Sequence, residues 1–248
     1  TGDIPAFPVV NPGLAPVTAT ITVTPHFALG GTSCDGPVQT FNITVNPTAQ
    51  VNDPADQFVC HGALSAAVNF TTTNSGGTMT YTWVNSNPAI GLAVSGSGDI
   101  PAFSVTNPGT APLIATITVT PHFALGGTSC DGPVQTFDIT VNPTAQVNDP
   151  ADQFICHGAL SAAVNFTTTN TGGTMTYTWT NSNPSIGLAV SGTGDIPAFT
   201  VNNPGTAPEV ATITVTPHFA LGGTTCDGPV QTFDITVNPT AQVNDPAD

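Results

Sequence analysis

Five cysteines are the side chains of this sequence with the greatest chemical potential, and their spacing repeats. They stand at positions 34, 60, 130, 156 and 226, so each lies 96 residues from a counterpart. In exported proteins such cysteines form disulfides. Two pairings fit the spacing: Cys60 with Cys130 and Cys156 with Cys226, or Cys34 with Cys60 and Cys130 with Cys156.

A metal site is the alternative use of these thiols. Cys60, His61, Cys130 and Asp131 could supply four ligands. The spacing nevertheless lacks the paired C-x-x-C form that is typical of structural zinc sites. The disulfide is therefore the better interpretation.

The histidines are the next candidates. His26, His122 and His218 each follow a proline in a T-P-H-F motif at a predicted strand end, and His61 and His157 each follow a cysteine. Catalysis by histidine requires a nearby nucleophile and an orienting acid, and the sequence has no elbow-like motif such as G-x-S-x-G. We interpret the histidines as polar residues at strand ends and expect no enzyme activity.

Paired carboxylates occur in the repeated segment Val-Asn-Asp-Pro-Ala-Asp. They are Asp53 with Asp56 and Asp149 with Asp152. Oxygen donors between stacked extracellular modules can bind Ca²⁺ and stiffen an array. The spacing is not that of a D-x-D-x-D-G loop, however, and Asn-Asp-Pro also favours a turn. The sequence predicts at most a weak calcium site at these four residues, near the seam between modules, and no other cofactor.

Two aromatic residues raise the question of glycan binding. Tyr81 and Trp83 alternate with threonine, and exposed aromatic rings can stack on sugars. The alternation places both rings on one strand face, where a β-sandwich needs large side chains in its core. We therefore predict that both are core residues.

The charge of the chain excludes several classes of partner. The 248 residues include 15 acidic residues and no Lys or Arg, which gives a net charge of -15. Binding to nucleic acid or to anionic lipid depends on Lys and Arg. We therefore expect no nucleic-acid partner. No stretch approaches the roughly 20 apolar residues of a transmembrane helix, so we expect no insertion into a membrane.

The whole sequence is a tandem repeat with a period of 96 residues. TGDIPAF begins at residues 1 and 193, SGDIPAF at 97, and PHFALGGT at 25, 121 and 217. Such self-similarity is typical of stacked modules. We predict a leading partial repeat (residues 1–46, the second half of a truncated copy), a first complete repeat (47–142), a second complete repeat (143–238) and the start of another (239–248).

Alternating apolar and polar residues mark several segments of each repeat. Ala115, Ile117 and Val119, for example, alternate with threonine, which is the pattern of a strand with one buried face. Polar turns separate these segments, and none shows a helical period. Six or seven short strands per repeat predict an all-β fold of tandem immunoglobulin-like sandwiches. A β-propeller blade is the alternative, but at about 40–50 residues it is too short.

The predicted sandwich favours one cysteine pairing. An early edge strand lies beside the last strand in such a fold. Because Cys60 ends the early strand and Cys130 opens the final hairpin, we expect Cys60–Cys130 and Cys156–Cys226 bonds within repeats, and a partner for Cys34 upstream. Disulfides also indicate an oxidising, exported location.

The connection between repeats carries a stiffness signal. Residues 46–50, Asn-Pro-Thr-Ala-Gln, contain proline and neither glycine nor serine. Such a linker is short and stiff, so we expect neighbouring repeats, which are partners within one chain, to stack as a semi-rigid rod.

An ordered series of motifs runs through each repeat: C-x-G-A, V-N-F-T, Y-T-W, I-G-L-A-x-S-G-x-G-D-I-P-A-F, A-T-I-T-V-T-P, C-x-G-P and F-D-I-T-V-N-P. This series resembles the PKD-like repeats of very large Bacteroidota cell-surface adhesins. The resemblance implies export by type IX secretion, an extracellular location at the cell surface and service as the shaft of a filamentous adhesin, in some cells for gliding motility.

Four functions are consistent with these observations. The first is a structural stalk of a secreted, cell-attached adhesin. The second is a set of repeats that themselves bind a glycan or another surface and act through avidity. The third is a set of accessory repeats of a secreted enzyme, and the fourth is a self-assembling filament subunit. Near-identical copies and stiff linkers favour the stalk.

Overall fold

The computed structural model describes residues 2–243, and almost all of its regular structure is β-strand. Of residues 239–248, predicted to begin another repeat, 244–248 lie outside the described residues. The described helical elements are two single turns, Pro88–Ile90 and Pro184–Ile186. Neither is long or apolar enough to cross a membrane. The predicted all-β architecture of tandem sandwich repeats is confirmed.

Sixteen strands follow the repeat pattern along the described residues. The leading partial repeat contains β1 (Val17–Val23), β2 (His26–Leu29), β3 (Thr32–Asp35) and β4 (Gln39–Val45). The first complete repeat contains β5 (Gln57–Cys60), β6 (Thr78–Asn85), β7 (Ser95–Ser97), β8 (Leu113–Leu125), β9 (Thr128–Asp131) and β10 (Gln135–Asn142). The second contains β11 (Gln153–Cys156), β12 (Thr174–Asn181), β13 (Ser191–Thr193), β14 (Glu209–Leu221), β15 (Thr224–Asp227) and β16 (Gln231–Asn238).

Each complete repeat forms one main sheet with the same topology. In the first, the order is β5-β10-β8-β6-β7, and β9 pairs with the end of β8. The pairs are antiparallel except at one edge, where β5 lies parallel to β10 and Cys60 is opposite Asn142. The second complete repeat has the same edge, with Cys156 opposite Asn238. The early strand therefore ends where the last strand ends, at the C-terminal end of its repeat.

The second layer of each sandwich consists of extended segments and not of long strands. One isolated bridge, Val68 with Ile100, is typical of this layer. Val68 and Phe70 alternate in the sequence like the residues of a half-buried strand, and both are buried, but they lie outside the regular strands. Pro101 follows the bridge and lacks an N–H, so it cannot extend the ladder. The sandwich is thus regular on one side only.

The strand with the clearest alternation in the sequence supplies the core. Ala115, Ile117 and Val119 of β8 are each 0% exposed, whereas the threonines between them are partly exposed. The partner strand β10 alternates in the same way, with Phe137 and Ile139 buried. The period-2 interpretation of both segments is confirmed.

The aromatic residues also lie where the sequence predicts. Tyr81 is 8% exposed and Trp83 is 6% exposed. The Tyr81 ring packs against Phe70 with its centroid 5.4 Å away, and burial raises the pKa of its phenol above the ordinary value of 10.0. The Trp83 ring lies against Gly96, where an added Cβ would come within 2.2 Å of it. Rings buried in this way are not available to stack on a glycan.

The leading partial repeat shows what the first half of a repeat contributes. Its long strand is divided into β1 and β2 at Thr24-Pro25. In the first complete repeat, Tyr81 of β6 lies opposite Pro121 and continues the ladder past the proline. Without an equivalent of β6, Phe27 is 68% exposed, whereas its counterpart Phe123 is 0% exposed. The first half of a repeat therefore covers the core and keeps the long strand continuous.

Candidate functional site: the junction between repeats

Each repeat carries a β-hairpin at its N-terminal end. In the second complete repeat, the end of β14 and β15 form this hairpin, and Gly222 and Gly223 form its turn. Their φ angles of 60° and 77° suit a two-residue type I′ turn. Cys226 lies opposite Phe219 in the hairpin register. The hairpin therefore places the sulfur of Cys226 at the end of the second complete repeat that faces the first complete repeat.

A disulfide joins the two complete repeats across their junction. Cys60 is bonded to Cys226, with the Cα atoms 5.5 Å apart and a sequence separation of 166 residues. Cys60 is the last residue of β5, at the C-terminal end of the first complete repeat. Cys226 belongs to the hairpin of the second and is 3% exposed. The bond is therefore a link between neighbouring repeats, buried on the Cys226 side, which we call the junction disulfide.

Further contacts surround the junction disulfide. The hydroxyl of Thr224 donates to the carbonyl oxygen of Phe58 at 3.1 Å. The side-chain amide of Asn142 donates to the carbonyl oxygen of Leu221 at 3.3 Å. The Phe58 ring lies directly against Gly222, where a Cβ would come within 2.1 Å of it. The hairpin of one repeat is thus seated on β5 and β10 of the repeat before it.

The junction disulfide shows that the predicted pairing within repeats is wrong. Because β5 lies parallel to β10, Cys60 is beside the end of β10 and Cys130 lies on the hairpin at the opposite end. About ten residues of β8 separate these two levels, or about 33 Å at 3.3 Å per residue, whereas a disulfide needs Cα atoms within about 7 Å. The alternative pairing of Cys34 with Cys60 is not formed either. In the described chain Cys34, Cys130 and Cys156 are free.

The alternative metal site is not assembled for the same reason. Cys60 and His61 lie at the C-terminal end of the first complete repeat, and Cys130 and Asp131 lie on its hairpin. The Nδ1 atom of His61 accepts a hydrogen bond from the backbone N–H of Asn107 at 2.9 Å. The histidine therefore fixes a loop and does not approach the second thiol.

Cleavage on the N-terminal side of aspartate provides a direct test of the disulfide. It places the five cysteines on five peptides, residues 3–34, 56–98, 99–130, 152–194 and 195–226. Without reductant, we expect mass spectrometry to find peptide 56–98 linked to peptide 195–226, because these contain Cys60 and Cys226. Linkage of 56–98 to 99–130 would instead restore the pairing within a repeat.

The linker between the complete repeats is part of the junction. Ala145 is 0% exposed and Val147 is 7% exposed, and Val147 belongs to the core of the second complete repeat. Gly228, just after the hairpin, lies so close that a Cβ would come within 1.7 Å of the Ala145 carbonyl oxygen. The connection predicted to be stiff because of its proline is therefore also fixed by burial.

Asn170 makes the contact on the remaining side of the junction. Its amide group donates to the carbonyl oxygens of Thr110, in the preceding repeat, at 3.2 Å and of Thr144, in the linker, at 3.1 Å. Its side-chain oxygen accepts from the backbone N–H of Gln146 at 2.6 Å. The N–H of Thr171 also donates to the Thr110 carbonyl, at 3.0 Å. A buried amide satisfied in this way specifies one geometry, since losing a partner leaves an unpaired polar group.

The junction before the first complete repeat has the same asparagine contact. Asn74 donates to the carbonyl oxygens of Leu14 at 3.4 Å and Thr48 at 3.1 Å, and it accepts from the N–H of Gln50 at 2.7 Å. In the sequence, Asn74 stands in an Asn-Ser-Gly-Gly segment, which by itself indicates only a turn. No pattern within one repeat signals a contact with another.

Histidine–aspartate pairs link each hairpin to its sheet. Nδ1 of His218 lies 2.6 Å from Oδ1 of Asp227, and its Nε2 lies 2.9 Å from the hydroxyl of Thr178. The order Thr, His, Asp resembles a nucleophile relay. Thr178 is in the middle strand of three, however, so its neighbouring backbone N–H groups belong to the sheet and not to an oxyanion site. We assign the group a structural role, which is to orient the hairpin that carries Cys226.

The four carboxylates proposed for calcium lie in the segments that precede the early strands, two in each complete repeat. Oδ1 of Asp56 accepts from the backbone N–H of Asp138 at 2.7 Å, and Asp152 makes the same bond in the second complete repeat. Asp53 and Asp149 are exposed on the same segments. Residues 2–243 contain no group of three or more His, Cys, Asp or Glu that could hold a metal ion. Asp56 and Asp152 fix the early segment to the last strand, away from the seam, and calcium binding stays a prediction.

Comparison with known proteins finds similarity to solved structures only. No protein-family model matches the chain, and no curated protein matches it. A mouse cadherin-23 EC22–24 structure is 11% identical, with 90% of this chain and 74% of that chain covered and a TM-score of 0.35. The I9–I11 tandem of titin is 11% identical, with 92% and 94% covered and a TM-score of 0.29. Tandem Ig repeats of Dlar are 12% identical, with 77% and 99% covered and a TM-score of 0.23. Similarities at this level carry no information about function.

Proposed function

We propose that this chain is a section of the stalk of a large secreted cell-surface adhesin, in which each β-sandwich repeat is fixed to the next. The Cys60–Cys226 bond is the observation that carries the proposal. Domains of one chain move relative to each other unless their interface prevents it. Here the junction disulfide, the buried linker and the Asn170 contacts act at three separate points, so bending in any direction breaks at least one of them.

The chemistry of the chain supports an extracellular stalk. A disulfide between repeats forms and persists in an oxidising compartment. A net charge of -15 keeps neighbouring filaments apart in solution. The tyrosine and tryptophan side chains of both complete repeats are buried in the sandwich core. A rigid spacer needs these properties and needs no catalytic residue.

The finer parts of the proposal come from the resemblance to PKD-like repeats of Bacteroidota adhesins. They include export by type IX secretion, attachment to the cell surface and a role in surface attachment or gliding. The division into repeats at residues 47, 143 and 239 belongs to the same proposal. The principal partners are the neighbouring repeats, and a surface or glycan ligand would bind elsewhere on the adhesin.

Small-angle X-ray scattering of the whole chain tests the stalk function. We expect the oxidised chain to scatter as one elongated, stiff particle, because the junction geometry is fixed. The variant Cys60→Ser/Cys226→Ser should show a broader distribution of sizes, whereas Cys34→Ser/Cys156→Ser should not. A flexible oxidised chain would contradict the stalk. Strong binding of the chain to a glycan array would favour repeats that bind a ligand themselves.

A further inference from the structure

A large cavity lies between the leading partial repeat and the first complete repeat. Its volume is about 890 Å³. It is lined by residues of β4 and by residues of the hairpin of the first complete repeat. Six of its lining residues are Val9, Asn11, Val45, Leu125, Gly126 and Cys130.

The equivalent place at the next junction is filled by the early strand. Adding 96 to the lining residues gives Val105, Asn107, Val141, Leu221, Gly222 and Cys226. Four of these positions contact residues 58–62 directly. Val141 pairs with Val59, Gly222 meets the Phe58 ring, Cys226 is bonded to Cys60, and the Val105 carbonyl accepts from the N–H of Gly62.

We infer that this cavity is a strand-binding site, and that Cys130 forms a disulfide with the strand it binds. The ligand is an extended segment with the chemistry of Gln-Phe-Val-Cys-His-Gly, supplied by a preceding copy of the repeat. Its backbone adds to the edge of β4 in parallel, as β5 adds to β10. Its phenylalanine lies against Gly126, and its cysteine reaches Cys130.

The other end of the chain presents the complementary half of this site. Phe154 is 76% exposed and Cys156 is exposed, whereas Phe58, at the occupied junction, is 38% exposed. The partner of this end is a hairpin like the one that carries Cys226. All five cysteines then belong to one series of junction disulfides, each joining the early strand of one repeat to the hairpin of the next.

Disulfide formation at this site requires an oxidant. Two thiols lose two protons and two electrons as the S–S bond forms, and a disulfide of an exported thiol–disulfide oxidoreductase accepts them and becomes a dithiol. The inference rests on the proposed function, because both require that successive repeats meet in the geometry of the Cys60–Cys226 junction.

A peptide of residues 56–63, with its cysteine activated as the mixed disulfide with thionitrobenzoate, tests the site in the full chain. The Cys130 thiolate attacks the peptide sulfur, the new S–S bond forms, and thionitrobenzoate leaves with the electron pair. We expect the peptide to modify Cys130 about tenfold faster than Cys34, which corresponds to about 1.4 kcal/mol of binding. Cleavage before aspartate identifies the modified thiol.

Matched controls separate binding from simple reactivity. The small reagent without peptide should prefer the exposed Cys34 over the partly buried Cys130. A peptide with alanine in place of phenylalanine should remove most of the preference for Cys130. The protein variant Thr128→Val should do the same, because Thr128 lines the cavity and is the counterpart of Thr224, whose hydroxyl donates to the Phe58 carbonyl. Equal modification of Cys34, Cys130 and Cys156 by the peptide, with the Cys60–Cys226 link still present, would overturn this inference alone. Absence of that link would also overturn the proposed function.

Discussion

Pulled by its two ends, the oxidised chain will extend about 60 nm less than the reduced chain. The junction disulfide joins residues 166 apart, and force applied at the termini passes through the S–S bond and not through the residues between. At about 3.6 Å per extended residue, the protected loop amounts to about 60 nm. Single-molecule force spectroscopy before and after addition of reductant measures this length directly.

The Cys60→Ser variant distinguishes the two pairings more sharply than the total protected length does. The predicted pairing within repeats would form two bonds that each protect 70 residues, which is 140 residues or about 50 nm in all at the same length per residue. In that case the variant Cys60→Ser would still retain a protected loop of about 25 nm closed by Cys156 and Cys226. The variant Cys60→Ser should extend fully without reductant, whereas Cys34→Ser should behave as the unaltered chain because Cys34 is not in the bond. Full extension of the unaltered oxidised chain would show that the junction disulfide is absent.

A shortened extension has a direct consequence for a stalk. Load that enters one repeat crosses to the next at Cys60–Cys226 without first unfolding either core. In a longer array with the same bond at each junction, successive loops overlap, because Cys156 precedes Cys226 in the sequence. Most of each repeat would then be shielded from force, which is a useful property for a structure that transmits it.

The sequence predicts the regular strands well because burial on one face imposes a visible pattern. Ala115, Ile117 and Val119 alternate with threonine, and the structure buries all three. The second layer is harder to predict. Val68 and Phe70 are buried, but the segment that carries them has an irregular backbone and forms no regular strand. Burial of one residue in two is necessary for a strand, but it does not ensure a continuous ladder.

The cysteine pairing could not be predicted because the repeat makes two answers equivalent. Cys130 and Cys226 occupy the same position in successive copies, so Cys60 could bond either one without changing the pattern. The choice depends on the direction of β5. An early edge strand parallel to β10 ends at the far end of the repeat, and alternation of side chains is identical in both directions.

The hairpin, in contrast, could have been found from the sequence. Two glycines in PHFALGG indicate a two-residue turn, which fixes the register of the residues on either side. That register places His218 opposite Asp227, nine residues later, as the structure shows. The contact of Asn170 with Thr110 had no such signal, because it joins different repeats through backbone carbonyls.

Of the three C-D-G-P glycines, Gly228 is the one whose substitution by alanine will most disrupt the junction between the two complete repeats. Its Cβ would lie 1.7 Å from the carbonyl oxygen of Ala145, so the linker must move away from the hairpin. Gly132→Ala would meet Ala49 in the same way, at 1.8 Å. We expect each to destabilise its repeat by about 1–3 kcal/mol, the usual cost of overpacking, and Gly228→Ala to slow formation of the Cys60–Cys226 bond.

The leading partial repeat provides a matched control for this prediction. Gly36 occupies the same position in the same motif, but an alanine there would meet only the Pro25 ring, at 2.8 Å, and no linker. Thermal melting and the rate of disulfide formation after reduction compare the three variants. Gly36→Ala should leave the bond rate unchanged. If Gly228→Ala left the rate of Cys60–Cys226 bond formation unchanged, the close seating of the linker on the following repeat would not be what aligns Cys226 with Cys60.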